Sequence, residues 1–204
     1  NMPTGTMIER ENIYDIAQAC YKNQSLLIID EAYHLFSSFS SANLIEEYDN
    51  VVVVRTFSKA FGMAGLRVGY CLANKNIINN LMLVRPIADA NNIALKTACF
   101  ALKNIDYVQK RINDFINGRN YLYSQFEQNG IKTLKSDGNF LLIGCKSMEK
   151  ATFALKELKE KKYLLKGPYS SYPMENFIRV TVGPLDLMKK FWKDSSDIII
   201  KSCT

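Results

Sequence analysis

Lys59 stands in the stretch Arg55-Thr56-Phe57-Ser58-Lys59-Ala60-Phe61-Gly62-Met63-Ala64-Gly65-Leu66-Arg67-Val68-Gly69-Tyr70, whose residue types suit nucleophilic amine chemistry. The stretch follows the apolar run Val51–Val54, so its polar residues fall at the carboxyl end of a candidate strand, where α/β proteins place ligands. Neighbouring cations and burial both disfavour an ammonium ion, and a lysine so placed moves toward the free amine that forms a Schiff base. Arg67 could return to the same site to hold a phosphate, with Thr56 and Ser58 offering hydroxyl donors. Gly62 and Gly65 allow close backbone approach to a bound group. A second cluster, Asp30-Glu31-Ala32-Tyr33, closes the apolar run Ser25–Ile29. An aspartate buried there needs a cationic partner, such as the protonated ring nitrogen of a ligand. Tyr33 could point its hydroxyl at the same ring.

The elements that must position these residues can be read in outline. Ile8, Ile13, Ile16, Ala17 and Cys20 recur at helical spacing. The runs 25–30 and 51–55 have the unbroken apolar pattern of strands buried on both faces, and Gly69–Ala73 is a third strand. Helices are expected over Lys75–Val84 and Asn91–Leu102. Strands separated by helical stretches predict an α/β domain with a mainly parallel sheet over residues 1–104. From Ile105 to Gln128 runs a long helical pattern closed by Asn129-Gly130, read as a connection (105–130) into a second domain. That smaller C-terminal α+β domain, 131–204, is expected to hold strands Ile131–Leu134, Phe140–Cys145, Tyr163–Lys166 and Phe177–Val182. Its helices are expected over Met148–Lys161 and from Leu185 onward.

Composition narrows the function classes. With 204 residues, 48% apolar and 23% charged, the chain can bury a sizeable core and is not disordered. The net charge of +6 is spread along the sequence and suits small anions; no helix-turn-helix or RNA-binding signature accompanies it, so no nucleic-acid partner is expected. No apolar stretch approaches the ~18–20 residues that span a bilayer, so no membrane partner is expected either. Five scattered cysteines and the single histidine, His34, give neither a zinc site nor a disulfide scaffold, leaving no metal ligands and a reducing cytoplasm as the simplest compartment.

Four blocks occur in one order: Asn-x-Pro-Thr-Gly from Asn1, Asp-Glu-Ala-Tyr from Asp30, the Lys59 block, and Phe-Ile-Arg-Val-Thr-Val-Gly from Phe177. Together they resemble the fold-type-I, class I and II aminotransferases, closest to the histidinol-phosphate aminotransferase branch, over almost the whole chain. The resemblance implies pyridoxal 5'-phosphate as cofactor, carried by Lys59, which also moves the proton at the substrate α-carbon. It implies that Asp30 pairs with the pyridine nitrogen, Tyr33 with the ring hydroxyl, and Thr56, Ser58 and Arg67 with the phosphate. Arg179 would clamp the substrate carboxylate. The substrates implied are an amino acid and a small keto or phosphorylated compound, and relatives are homodimers.

Two positions depart from the family pattern. Met2 stands where relatives usually carry the asparagine that reaches the cofactor, with Asn1 one place earlier. Lys166 stands where histidinol-phosphate enzymes commonly carry a second substrate arginine, and it keeps the charge without the planar fork. The glycine-rich phosphate turn and ring-stacking aromatic of relatives lie upstream of the Asn-x-Pro-Thr-Gly block. The chain is therefore expected to be the C-terminal part of such an enzyme, inactive alone. A threonine-phosphate-type decarboxylase and an aminotransferase-like sensor domain of a transcription regulator share the same motifs.

Overall fold

The structure is a computed structural model that describes residues 2–87 and 90–204. The chain divides into two compact units. One runs from Ile8 to Gln109; the other comprises the segment up to Met7 together with Lys110–Thr204.

In the first unit, β1 (Leu27–Asp30) pairs in parallel with β2 (Val51–Thr56), Leu27 opposite Val51 and Asp30 opposite Val54. The intervening chain is long enough for a parallel crossover and holds a 3₁₀ turn and the short α2 (Leu44–Glu47). β2 then pairs antiparallel with β3 (Gly69–Ala73), giving the order β1-β2-β3. The fold is α/β, but the expected mainly parallel sheet is mixed among the described strands. The reason is the connection from β2 to β3, a loop that folds straight back with the Phe57 N–H on the Val68 carbonyl at 3.1 Å. Gly69 allows the strands to approach, since a Cβ there would lie 2.7 Å from the Arg55 carbonyl oxygen.

Only β2 meets the expectation of burial on both faces, with Val51, Val52 and Val53 all buried. β1 alternates half-buried Leu27 and Ile29 with exposed Ile28 and Asp30, so it is covered on one face. That face packs against α1 (Arg10–Lys22) in a cluster of Ala17, Leu44, Val51 and Val53. Ile8 and Ile16, expected on the apolar stripe, are exposed, and Ile8 precedes the helix. The remaining helices are α3 (Lys75–Val84) and α4 (Asn92–Lys103). The side chains of Asn74 and Asn91 cap their first turns by accepting backbone N–H groups.

α5 (Ile105–Gln128) is a single 24-residue helix, and the division between the two units falls within it. In the second unit β4 (Phe140–Gly144) pairs antiparallel with β5 (Phe177–Thr181), flanked by α6 (Met148–Glu160) and α7 (Leu185–Cys203). Leu141, Ile143, Ile178 and Val180 pack with Leu122, Phe126, Leu158 and Phe191 in its core. The expected strands Ile131–Leu134 and Tyr163–Lys166 reduce to isolated bridges, Thr133 to Ile143 and Lys166 to Arg179. Tyr163 instead donates its N–H to the Leu158 carbonyl as α6 ends at left-handed Lys162, leaving too few residues before Gly167 to extend a ladder. Pro3-Thr4-Gly5 belongs to this unit: the Asp137 N–H donates to the Gly5 carbonyl at 2.8 Å, and a Cβ on Gly5 would collide with Ser136. Among the described residues no helix is long and apolar enough to cross a membrane.

Candidate functional site

The first group of candidate side chains gathers at the carboxyl ends of β1 and β2. Phe57, only 2% exposed, anchors the loop after β2 in a cluster with Val68, Ala94 and Ala98, and its ring lies 4.7 Å from Phe61 and 5.6 Å from Tyr70. Between these anchors the backbone closes on itself. The Met63 N–H reaches the Phe57 carbonyl and the Gly62 N–H reaches that of Lys59, each at 3.0 Å. Gly62 sits at φ +68, a conformation that side chains with a Cβ rarely adopt. The turn thereby presents Lys59 outward, and the burial expected from the sequence is not found: its side chain is exposed because the loop folds on Phe57 instead, and its Nζ lies 5.3 Å from the centre of the Tyr33 ring. An ammonium over an aromatic face is attracted by the ring quadrupole, so this contact holds amine and ring together.

Tyr33 is buried, 6% exposed, at the turn leaving β1. The buried acid of the block is not Asp30, as the sequence suggested, but Glu31. Asp30 is exposed at the strand end and accepts the Ala32 N–H at 2.9 Å, a local turn contact that leaves its carboxylate facing solvent. Glu31 is 8% exposed and takes the cation instead: Arg55 Nε and Nη2 reach its Oε2 at 3.1 and 2.9 Å. Ser40 Oγ donates to the same oxygen at 3.0 Å, and the Ser41 N–H donates to Oε1 at 2.5 Å. Burial alone would lower the Arg55 pKa, but hydrogen bonds to Tyr70 and Glu31 and the Glu31 charge raise it, so the guanidinium stays charged. This pair locks the turn carrying Tyr33 to β2, the strand that leads into the Lys59 loop. The sequence carried a signal for it, an arginine and an acid each next to an assigned residue, but strand pairing was needed to bring them together.

Thr56 ends β2 with its Oγ1 accepting the Ser58 N–H at 3.1 Å, and both residues are half-buried beside Lys59. Arg67 is exposed in a left-handed conformation and donates to the Ala64 carbonyl at 3.0 Å. His34 turns its Nδ1 to the Glu31 carbonyl oxygen at 3.2 Å. Burial, with the Arg55 charge second, holds its pKa below the ordinary histidine value. Asn1 lies outside the described residues.

In the second unit Arg179 and Lys166 are direct neighbours across a hydrogen-bonded antiparallel bridge. The Arg179 N–H reaches the Lys166 carbonyl at 2.7 Å, and the Lys166 N–H returns to Arg179 at 3.3 Å. Opposed residues of such a bridge project to the same face of the strands, so two cations share one side. Arg179 stacks on the Phe140 ring at 5.3 Å, and its Nε is buried with no hydrogen-bond partner among the described residues. Lys166 is exposed. A half-buried guanidinium beside a free ammonium is suited to an anion, the guanidinium as a fork and the ammonium as a point charge.

The class I and II aminotransferase model matches residues 1–193. The chain belongs to that family. Relatives include a protein named histidinol-phosphate aminotransferase 2 from Legionella pneumophila strain Lens, 37% identical over 195 residues, covering 94% of this chain and 52% of the relative. A histidinol-phosphate aminotransferase from Methanocaldococcus jannaschii is 34% identical over 203 residues, covering 98% and 53%. The aminotransferase-family chain thus spans about half the length of the curated relatives it matches. Among solved structures, histidinol-phosphate aminotransferase from Sinorhizobium meliloti in complex with pyridoxal-5'-phosphate superposes with a TM-score of 0.85 at 25% identity, covering 98% of this chain and 55% of that one. L-threonine-O-3-phosphate decarboxylase from Porphyromonas gingivalis shares the fold at a TM-score of 0.77 and 21% identity, covering 99% and 62%.

Proposed function

We propose that this aminotransferase-family chain is the C-terminal part of a pyridoxal 5'-phosphate-dependent aminotransferase. The enzyme would transfer an amino group between an amino acid and a small phosphorylated substrate, with Lys59 as the attachment point of the cofactor. The observation that carries this reading is the Lys59 amine poised 5.3 Å over the Tyr33 ring at the end of two parallel strands. The residues present fit the cofactor: an exposed lysine and carboxylate, a phenol, and two hydroxyls stand at one sheet end, all with chemistry the group requires.

When bound, the cofactor supplies an electron sink for charge developing at the substrate α-carbon. Lys59 takes the α-proton and returns it, which suits an amine at the solvent side of the turn. Asp30 would hold the proton on the pyridine nitrogen, and Tyr33 would donate its hydroxyl to the ring oxygen. Thr56, Ser58, Arg67 and Asn1 bind on the cofactor side, the first three on the phosphate. Arg179 clamps the substrate carboxylate, and Lys166 neutralises a second anionic group. Residues 1–104 are assigned to the cofactor domain, apart from the segment up to Met7 that packs with Lys110–Thr204, with 105–130 as the connection and 131–204 as the small domain; the working enzyme is a cytoplasmic homodimer.

The test uses the full-length protein with pyridoxal phosphate added, borohydride reduction, and peptide mass spectrometry. The pyridoxyl mass is expected on Lys59 and absent from Lys59→Ala, and a keto acid should reverse the spectral change caused by the amino donor. A pyridoxyl group on another lysine, or carbon dioxide release without keto-acid dependence, would overturn the assignment.

A further inference from the structure

We propose that Cys145 and Cys203 form a modification site, a buried dithiol that hydrogen peroxide converts to an intramolecular disulfide. The two residues are 58 apart in sequence, yet their Sγ atoms lie 2.7 Å from one another. Each is held by its backbone rather than by side-chain chance. Cys145 leaves β4 with its N–H on the Asn176 carbonyl at 2.9 Å, and its own carbonyl accepts from the Asn176 side chain. The next residue, Lys146, donates its N–H to Ser202 at 3.1 Å, so the strand end is bonded to the residue preceding Cys203 in the last turn of α7. At 4% and 8% exposure the pair is shielded from large thiols, and hydrogen peroxide is small enough to reach it.

The thiol hydrogen bond with Cys203 holds Cys145 below the ordinary cysteine value, against the opposing effect of burial, and the same contact pushes Cys203 up. The thiolate is the nucleophile, and either sulfur can be the hydrogen-bond donor, so the step runs through attack by Cys145 or equally with the two exchanged. The Cys145 thiolate attacks one peroxide oxygen, forming an S–O bond and breaking the O–O bond. The hydroxide released takes up the proton that Cys145 had shed and leaves as water. The Cys203 sulfur then attacks the Cys145 sulfur, forming S–S and breaking S–O, and the second hydroxide leaves as water with the Cys203 proton. Two thiols and one peroxide become one disulfide and two waters, the two electrons passing from sulfur to oxygen. Because the bond would tie α7 to β4 across a long loop, it restricts the unfolded chain and raises the unfolding midpoint by several degrees.

The experiment treats the full-length protein with hydrogen peroxide, unfolds it in an alkylating agent and maps the peptides by mass spectrometry. The expected result is one dithiothreitol-reversible cross-link between Cys145 and Cys203, with Cys99 and the half-buried Cys20 and Cys71 outside it. The midpoint should rise with cross-linking and return on reduction, and Cys145→Ala should abolish both changes. Recovery of Cys145 and Cys203 as alkylated thiols after exposed Cys99 has been oxidised would overturn the proposal. So would sulfonic acids on the pair without a cross-link, or a cross-link between other cysteines.

Discussion

Replacing Glu31 by glutamine removes one charge from a pair whose side chains are only 14% (Arg55) and 9% (Glu31) exposed. The native carboxylate accepts two guanidinium N–H groups and the Ser40 hydroxyl on Oε2, and the Ser41 amide on Oε1. A glutamine amide has one oxygen, so either its NH2 faces Arg55 and Ser40 or it faces the Ser41 N–H, and donors oppose donors in both orientations. Breaking a buried pair in this way costs ~3–5 kcal/mol. Arg55 keeps its bonds to Ser40 and Tyr70 and some contact with water, which places the cost near the lower limit, about 3 kcal/mol. That is more than a hundredfold in the folding equilibrium, or roughly 6–12 °C in the unfolding midpoint. Denaturant unfolding of Glu31→Gln, Arg55→Gln and the double variant would measure it. The neutral pair can satisfy its own hydrogen bonds, so the double variant should be at least ~1.5 kcal/mol more stable than the summed single effects imply. A single-variant loss below about 1 kcal/mol, or strict additivity, would refute the claim that this pair locks the two site-bearing segments.

Gly118→Ala in α5 tests the packing of the second unit. Alanine gains about 1 kcal/mol of helix propensity. Its Cβ, however, would lie 2.2 Å from the Gly183 carbonyl oxygen, a backbone atom, and 3.0 Å from Met188. The clash should win, with a net loss above ~2 kcal/mol by denaturant unfolding; a stabilised variant would show that the helix does not approach Gly183 so closely. His34 sets a pH dependence in the first unit. Its folded-state pKa is lowered below 6.5 by burial and then by Arg55, so the unfolded chain binds the proton first. Stability is therefore full above about pH 6.5 and declines as the pH falls from there toward the folded-state value. Midpoints measured across that range should fall in the parent and flatten in His34→Gln, and an equal slope in both would discount the histidine.

Much of this protein could be read locally. The Lys59 block determines an anchored turn on its own, because Phe57 and Val68 bracket a polar loop with glycine at its left-handed position. The helices from Lys75 and Met148 and the strands at Val51, Gly69, Phe140 and Phe177 follow from periodicity and capping residues, interactions within a few positions of one another. What needed tertiary structure were the contacts made at long range. Residue order cannot say which of two adjacent acids turns inward; strand pairing does, giving Glu31 to Arg55 and leaving Asp30 at the surface. The same holds for the Gly5 segment packing beside Ser136, for Lys166 meeting Arg179, and for two cysteines 58 residues apart lying sulfur to sulfur. The identities of the candidate residues are thus a property of the sequence. Their partners are a property of the fold, because burial and backbone pairing decide which charges and thiols must find each other.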